Sequence, residues 1–180
     1  MKEYLIAVVV SFKGNFNKDL LNVCKILNKK FKIRYISSRS TKPHLTLASG
    51  FIKNINKLDK ILRKKKFFNF DLSSLGLGIL PNKDPLIYVR WQQNDELIAL
   101  YRKVNNITDS LFIGSSLNSN FSTWLPKTTI AFKDFKYEKL RRILKTIIHI
   151  NKKRKVKVDK LEVMKIDKKG EKVLFTYKLK

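Results

Sequence analysis

The chain has 180 residues, with 12 Phe, 6 Tyr and 2 Trp and a hydrophobic fraction of 43%. That is enough apolar material for one packed core, so it excludes a disordered chain and leaves no room for a second full domain. Forty Lys and Arg against 14 Asp and Glu give a formal net charge of +26, which disfavours cationic partners and draws polyanions from a distance. The single cysteine, Cys24, excludes an intramolecular disulfide, and two histidines far apart in sequence, His44 and His149, offer no zinc-ligand spacing.

Lys, Asn, Ile and Phe are abundant together, as AT-rich codons would make them, so the charge by itself identifies no partner. The apolar run at 5–10 follows Glu3, stops at Ser11-Phe12-Lys13-Gly14 and has no small-residue cleavage site after it. It reads as a buried strand rather than a leader. No stretch reaches the roughly 18 uninterrupted apolar residues of a membrane-crossing helix, and the expectation is a soluble, cytoplasmic protein with no membrane partner.

In chain order, a strand at 4–12 precedes Phe16, Leu20, Cys24, Leu27 and Phe31, spaced by threes and fours as on one face of a helix, with Asn15 or Asn17 available as N-cap. Cys24 sits on that stripe as a small hydrophobe. Residues 31–36 alternate like a half-buried strand, 37–42 read as a loop, and Pro43-His44-Leu45-Thr46-Leu47-Ala48 as a strand. Ile55, Leu58, Ile61 and Leu62 mark a second helix ending in Arg63-Lys64-Lys65-Lys66, cations that suit the carbonyl end of a helix. Strands are expected at 67–72, 76–80 and 86–91, then a helix from Asp95 carrying Leu97, Ile98, Tyr101 and Val104. Residues 107–123, rich in Ser and Asn, are expected to include a mobile loop. A strand at 127–132 and a helix through Tyr137, Leu140, Ile143, Leu144 and Ile147 follow. The chain ends in a hairpin of 156–166 and 172–179 about Asp167-Lys168-Lys169-Gly170.

One segment recurs. Pro43-His44-Leu45-Thr46-Leu47-Ala48 aligns without gaps to Pro126-Lys127-Thr128-Thr129-Ile130-Ala131, and each copy leads into an amphipathic helix, at Ile55 and at Tyr137. In a strand, residues two apart share a face, so His44 and Thr46 point together, as do Lys127 and Thr129. Two similar lobes facing each other would set two hydroxyls and two basic groups around one tetrahedral oxyanion.

In these motifs the chain resembles the two-histidine phosphoesterase superfamily, which includes 2′-5′ RNA ligases and 2′,3′-cyclic nucleotide phosphodiesterases and carries a pair of His-x-Thr/Ser motifs on strands. The resemblance spans nearly the whole chain, and Lys127 stands where the second motif has histidine. It implies a single α+β domain over 1–180, two-lobed and pseudo-twofold, with antiparallel or mixed sheets lining a central cleft and helices outside. It also implies acid/base chemistry without metal or cofactor on RNA termini or nucleotide phosphates, with His44, Thr46, Lys127 and Thr129 as the catalytic set. Two imidazoles suit such chemistry because each titrates near about 6.5. A lysine, near about 10.4, is an ammonium at neutral pH that stabilises charge or reluctantly donates a proton, and it could act as base only if burial and neighbouring cations lowered its pKa by roughly three units. The alternative is a scaffold that binds RNA without turnover.

Tyr88 and Arg90 share a strand face and are candidates to stack a base and hold a phosphate, or else an ordinary sheet residue and a surface charge. Trp124, before the second motif, walls the cleft or plugs the core; Arg34 and Tyr35 are weaker candidates. His149, near a helix end, reads as structural. Gly76-Leu77-Gly78 lacks the third glycine and strand-to-helix setting of a nucleotide loop, so no ATP dependence is implied.

Overall fold

The computed structural model describes residues 2–12, 14–37, 42–81, 83–114, 120–168 and 170–180. The chain runs β1 (Tyr4–Phe12), α1 (Asn15–Phe31), β2 (Leu45–Ile52), α2 (Ile55–Arg63), β3 (Phe70–Leu80), β4 (Leu86–Trp91), α3 (Asp95–Thr108), β5 (Phe112–Ile113), β6 (Lys127–Phe132), α4 (Tyr137–Ile147), a 3-10 turn (Ile148–Ile150), β7 (Lys155–Asp167) and β8 (Gly170–Lys178). Every strand pair is antiparallel, so the mixed sheet allowed by the sequence is not formed. Among the described residues no helix is long and apolar enough to cross a membrane.

The strand order is β5-β2-β1-β7-β3-β4-β6, with β8 also on β7. Without β5 and β8 the chain is two consecutive β-α-β-α-β units, each of which sends its last strand to the other: β7 pairs β1, and β3 pairs β4. Exchanging β1 with β4, β2 with β6 and β3 with β7 leaves the order unchanged. The helices cross as well, since α1 packs behind β6 and α3 behind β2.

The two halves also share an irregularity. In β2, Val8 pairs Ala48 but Val9 pairs Thr46, leaving Leu47 as an extra residue. In β6, Ile87 pairs Ala131 but Tyr88 pairs Thr129, leaving Ile130 extra. Each motif threonine is thus followed by a β-bulge that puts two consecutive apolar residues, Leu47-Ala48 and Ile130-Ala131, into the helix-side core. A bulged carbonyl lacks its ladder donor and needs one from elsewhere. The crossing helices supply it: Asn105 Nδ2 of α3 donates to the Leu47 carbonyl (3.2 Å), and Cys24 Sγ of α1 lies 3.6 Å from that of Ile130.

Several elements differ from the sequence reading. Residues 31–36 form no strand: Phe31 ends α1, Lys32 caps it in the left-handed region (φ 60), and the backbone N–H groups of Arg34 and Tyr35 donate to Asp134 Oδ2. The N-cap of α1 is Gly14, while Asn17 Nδ2 bonds the Phe12 carbonyl (2.7 Å). The strands expected at 67–72 and 76–80 are one, β3, bent at a bulge where Gly76 adopts φ +98. The turn of the final hairpin and the polar stretch at 115–119 include positions outside the described residues.

Replacing Asn105 by the similarly sized Leu leaves the Leu47 carbonyl buried without its donor. Urea denaturation is expected to show a loss of about 1–3 kcal/mol. Cys24→Ala is expected to cost less of the hydrogen-bond contribution, because a thiol is the weaker donor.

Candidate active site

Residues from both halves meet in one pocket, lined by His44 and Thr46 from the first motif and Lys127 and Thr129 from the second. All four are half-buried, whereas the residues between them, Leu45 and Thr128, are buried completely. This alternation is held on the core side, where Thr128 accepts a hydrogen bond from the Trp91 indole N–H (2.9 Å). With Thr128 turned inward, Lys127 and Thr129 must face the cleft. On the other side, the Trp124 indole N–H donates to the Thr46 carbonyl (3.2 Å), tying the approach to β6 onto β2.

His44 Nδ1 lies 3.0 Å from the Lys42 carbonyl oxygen. A carbonyl only accepts, so this contact assigns the proton to Nδ1 and leaves Nε2 as the proton acceptor of the neutral ring, the arrangement a general base requires. Lys127 has no ion-pair partner among the described residues, and burial holds its ammonium below the ordinary lysine range. It is therefore a more willing proton donor than a solvated lysine.

Tyr35 and Ile36 form one wall. Their loop is pinned next to the second motif by Asp134, which follows β6, and by the edge-on contact of Tyr35 with Phe132 at 5.0 Å. Lys42 and Leu125 complete the rim, and Glu171 brings a carboxylate from the start of β8. Of these, only Tyr35 had any signal in the sequence. Glu171 follows a hairpin turn in a strand with no motif, and it is the folded chain that places it in the same pocket as His44.

The other candidates lie elsewhere. Trp124 does not line the pocket: it is 6% exposed and stacked on Tyr101 at 4.1 Å, so its part is to plug the core. Tyr88 and Arg90 sit opposite Thr129 and Lys127 in the ladder and share their face, but neither lines the pocket. The Tyr88 ring is packed over Gly78 so closely that a Cβ there would collide with it, and it is not free to stack on a base. Arg90 is exposed beside Lys127. His149 is exposed on the 3-10 turn. Burial pushes the Cys24 thiol up to about 12, which fits a buried hydrophobe and not a nucleophile. Among the described residues no three His, Cys, Asp or Glu side chains gather as a metal site would require.

No family model matches the sequence, and no curated protein does. Solved structures do match, over nearly the full length. Escherichia coli LigT in its apo form aligns with TM-score 0.63 at 13% identity, covering 99% of both chains. TT0787 of Thermus thermophilus aligns with TM-score 0.64 at 14% identity, covering 97% of both. Usb1 of Kluyveromyces marxianus aligns with TM-score 0.53 at 11% identity, covering 98% of this chain and 97% of that one. The fold is LigT-like. At these identities the likeness establishes the α+β architecture, and the chemistry must be argued from the pocket.

A partly desolvated ammonium with no ion-pair partner among the described residues costs stability. Lys127→Met is expected to raise Tm by roughly 2–4 °C, the shift that about 1 kcal/mol produces in a domain of this size. Because the lysine's pKa is lowered on folding, its cost is full at neutral pH and fades as pH rises through the lowered value. The Tm difference between the parent chain and the Lys127→Met variant should therefore shrink at alkaline pH, and scanning calorimetry over a pH series checks it.

Proposed function

We propose that the chain is a metal-independent phosphoesterase, or 2′-5′ ligase-like enzyme, acting on RNA termini or 2′,3′-cyclic phosphates by acid/base catalysis. The observation that carries this reading is the convergence of the two repeated motifs on one pocket. E. coli LigT, whose fold the chain shares, has been crystallised with ATP, with 3′-AMP and with phosphate, which supports a nucleotide phosphate as the ligand.

In the proposed step, His44 Nε2 takes a proton from the attacking water as its oxygen bonds to phosphorus. Lys127 Nζ gives a proton to the ribose oxygen as the P–O bond to it breaks. The Thr46 and Thr129 hydroxyls donate to the non-bridging oxygens, where negative charge builds in the transition state. In ligation the same groups keep these roles: a ribose hydroxyl replaces water as the nucleophile and gives its proton to His44 Nε2, while Lys127 Nζ protonates the ribose oxygen released as the cyclic P–O bond breaks. A lysine is a weaker match than histidine for this acid role, and its lowered pKa narrows the gap.

A second reading is favoured by the same residue. An ammonium with no ion pair among the described residues is suited to holding phosphate without turning it over, so the pocket would then bind RNA ends or cyclic phosphates only.

Hydrolysis of a 2′,3′-cyclic nucleotide separates the two. Turnover in the presence of EDTA that falls about 10²–10⁴-fold in His44→Ala is expected for the enzyme. Tight binding with no turnover, in the parent and in Lys127→His alike, overturns it. If turnover is present, rate should fall at high pH as Lys127 loses its proton, and Lys127→His should move that alkaline limb toward neutrality, since an imidazole titrates near about 6.5.

A further inference from the structure

We propose that the chain carries a second anion site, a groove between the end of α2 and the end of the chain that binds the backbone of single-stranded nucleic acid. The groove is lined by six cations, Arg63, Lys64, Lys65, Lys66, Lys178 and Lys180. None of them lines the His44 pocket. They come from two segments far apart in sequence that are joined through the backbone: Lys180 N–H donates to the Phe67 carbonyl and Asn69 N–H to that of Lys180, both at 2.9 Å.

The dipole of α2 accounts for cations in its last turn, Lys60 and Arg63. It does not account for Lys178 and Lys180, which belong to no helix. The cluster is neutralised from within only in part. The carboxylate that α2 presents here, Asp59, accepts from Arg63 Nε (2.9 Å) and from the Tyr177 hydroxyl (2.7 Å). Burial pushes its carboxyl up, but those two hydrogen bonds outweigh it and hold the group below the usual range. The other five cations of the groove form no ion pair among the described residues. Like charges gathered in this way repel one another unless a polyanion joins them.

The groove continues, through Lys66 and Phe67, into an apolar recess walled by Phe68, Phe70 and Leu100. Phe68 is 69% exposed. Lys103 lies at its edge, its Nζ bonded to the Lys66 carbonyl (2.6 Å) and 5.1 Å from the centre of the Phe67 ring. A row of cations beside an exposed aromatic ring is how unpaired strands are held without base reading: phosphates lie along the cations and a base stacks on the ring. The cations line a groove between two elements and not a flat face, which favours a strand over a bilayer surface.

The test uses a labelled single-stranded RNA of about twelve nucleotides with both ends blocked, so that nothing in it is a substrate for the His44 pocket. Replacing Lys64, Lys65, Lys178 and Lys180 together by Ala should weaken anisotropy-measured binding at least about tenfold. It should also flatten the log–log salt dependence by about 0.7 for each phosphate that the variant no longer neutralises. Phe68→Ala should cost about fivefold or more, the loss of one stacked base. The control removes equal charge from the α1 and α4 face, at Lys30, Lys139, Arg142 and Lys145, and should change affinity less than about threefold.

An equal loss in the control overturns the proposal, because the charge would then act as a whole. So does unchanged RNA affinity in the groove variant, including the case where that variant loses only its binding to phosphatidylserine vesicles. Since the readout needs no turnover, failure of the chemistry proposed for His44 leaves it unaffected, and unchanged cyclic-mononucleotide turnover in the groove variants would support a separate site.

Discussion

Each motif strand carries one residue more than its partner strand can pair, and a bulged carbonyl inside a core must find a donor or unfold its surroundings. Leu47 and Ile130 are those residues, and the groups that answer them, Asn105 and Cys24, sit on helices of the opposite half. That requirement couples the halves more specifically than apolar packing does. A helix that supplies the missing donor must cross behind the other unit's motif strand, and the strand exchange of β3 and β7 brings those strands within reach. The bulge also decides what faces the cleft. By turning two successive apolar residues into the core, it keeps the threonine just before it on the open side, in both copies.

The pocket follows from this frame. Backbone regularity presents four polar side chains, and a few specific contacts orient them: the Trp91–Thr128 bond under β6, the Trp124 bond to β2, and the Lys42 carbonyl that settles the tautomer of His44. The asymmetry lies in chemistry, not in placement. Where the halves are equivalent in topology and bulge, one presents an imidazole and the other a partly desolvated ammonium. Whether that asymmetry serves turnover or retention depends on how readily Lys127 gives up its proton.

The large positive charge divides into parts with different surroundings. Lys42 and Lys127 belong to the cleft, and Arg90 stands exposed beside Lys127 in the ladder. The cations at the end of α2 meet those at the chain terminus in a separate groove. Others, such as those on α4, are solvated faces of an amphipathic helix whose buried residues are Ile143 and Ile147. A formal charge of +26 cannot distinguish these. Only position relative to carboxylates such as Asp59 can.

Local periodicity was sufficient for most elements. The apolar spacing from Phe16 to Leu27, the alternation of 127–132 and the final hairpin are properties of neighbouring residues, and they stand in the structure nearly unchanged. The paired motifs named His44, Thr46, Lys127 and Thr129 for the same reason, since alternate residues of a strand must share a face. What failed were features decided by partners distant in sequence. Residues 31–36 have a strand's alternation, but Asp134 takes their N–H groups and holds them as a loop. Trp124 is amphipathic enough for either a wall or a plug, and Tyr101 settles it as a plug. Glu171 lines the pocket, and Lys178 lines a groove with Lys64, because the fold brings distant segments together. Which side chains stand together on each strand depends on backbone period alone, and the amino-acid order is enough to read it. Which strands face one another depends on long-range pairing and on where buried carbonyls find their donors, and that is decided in the folded chain.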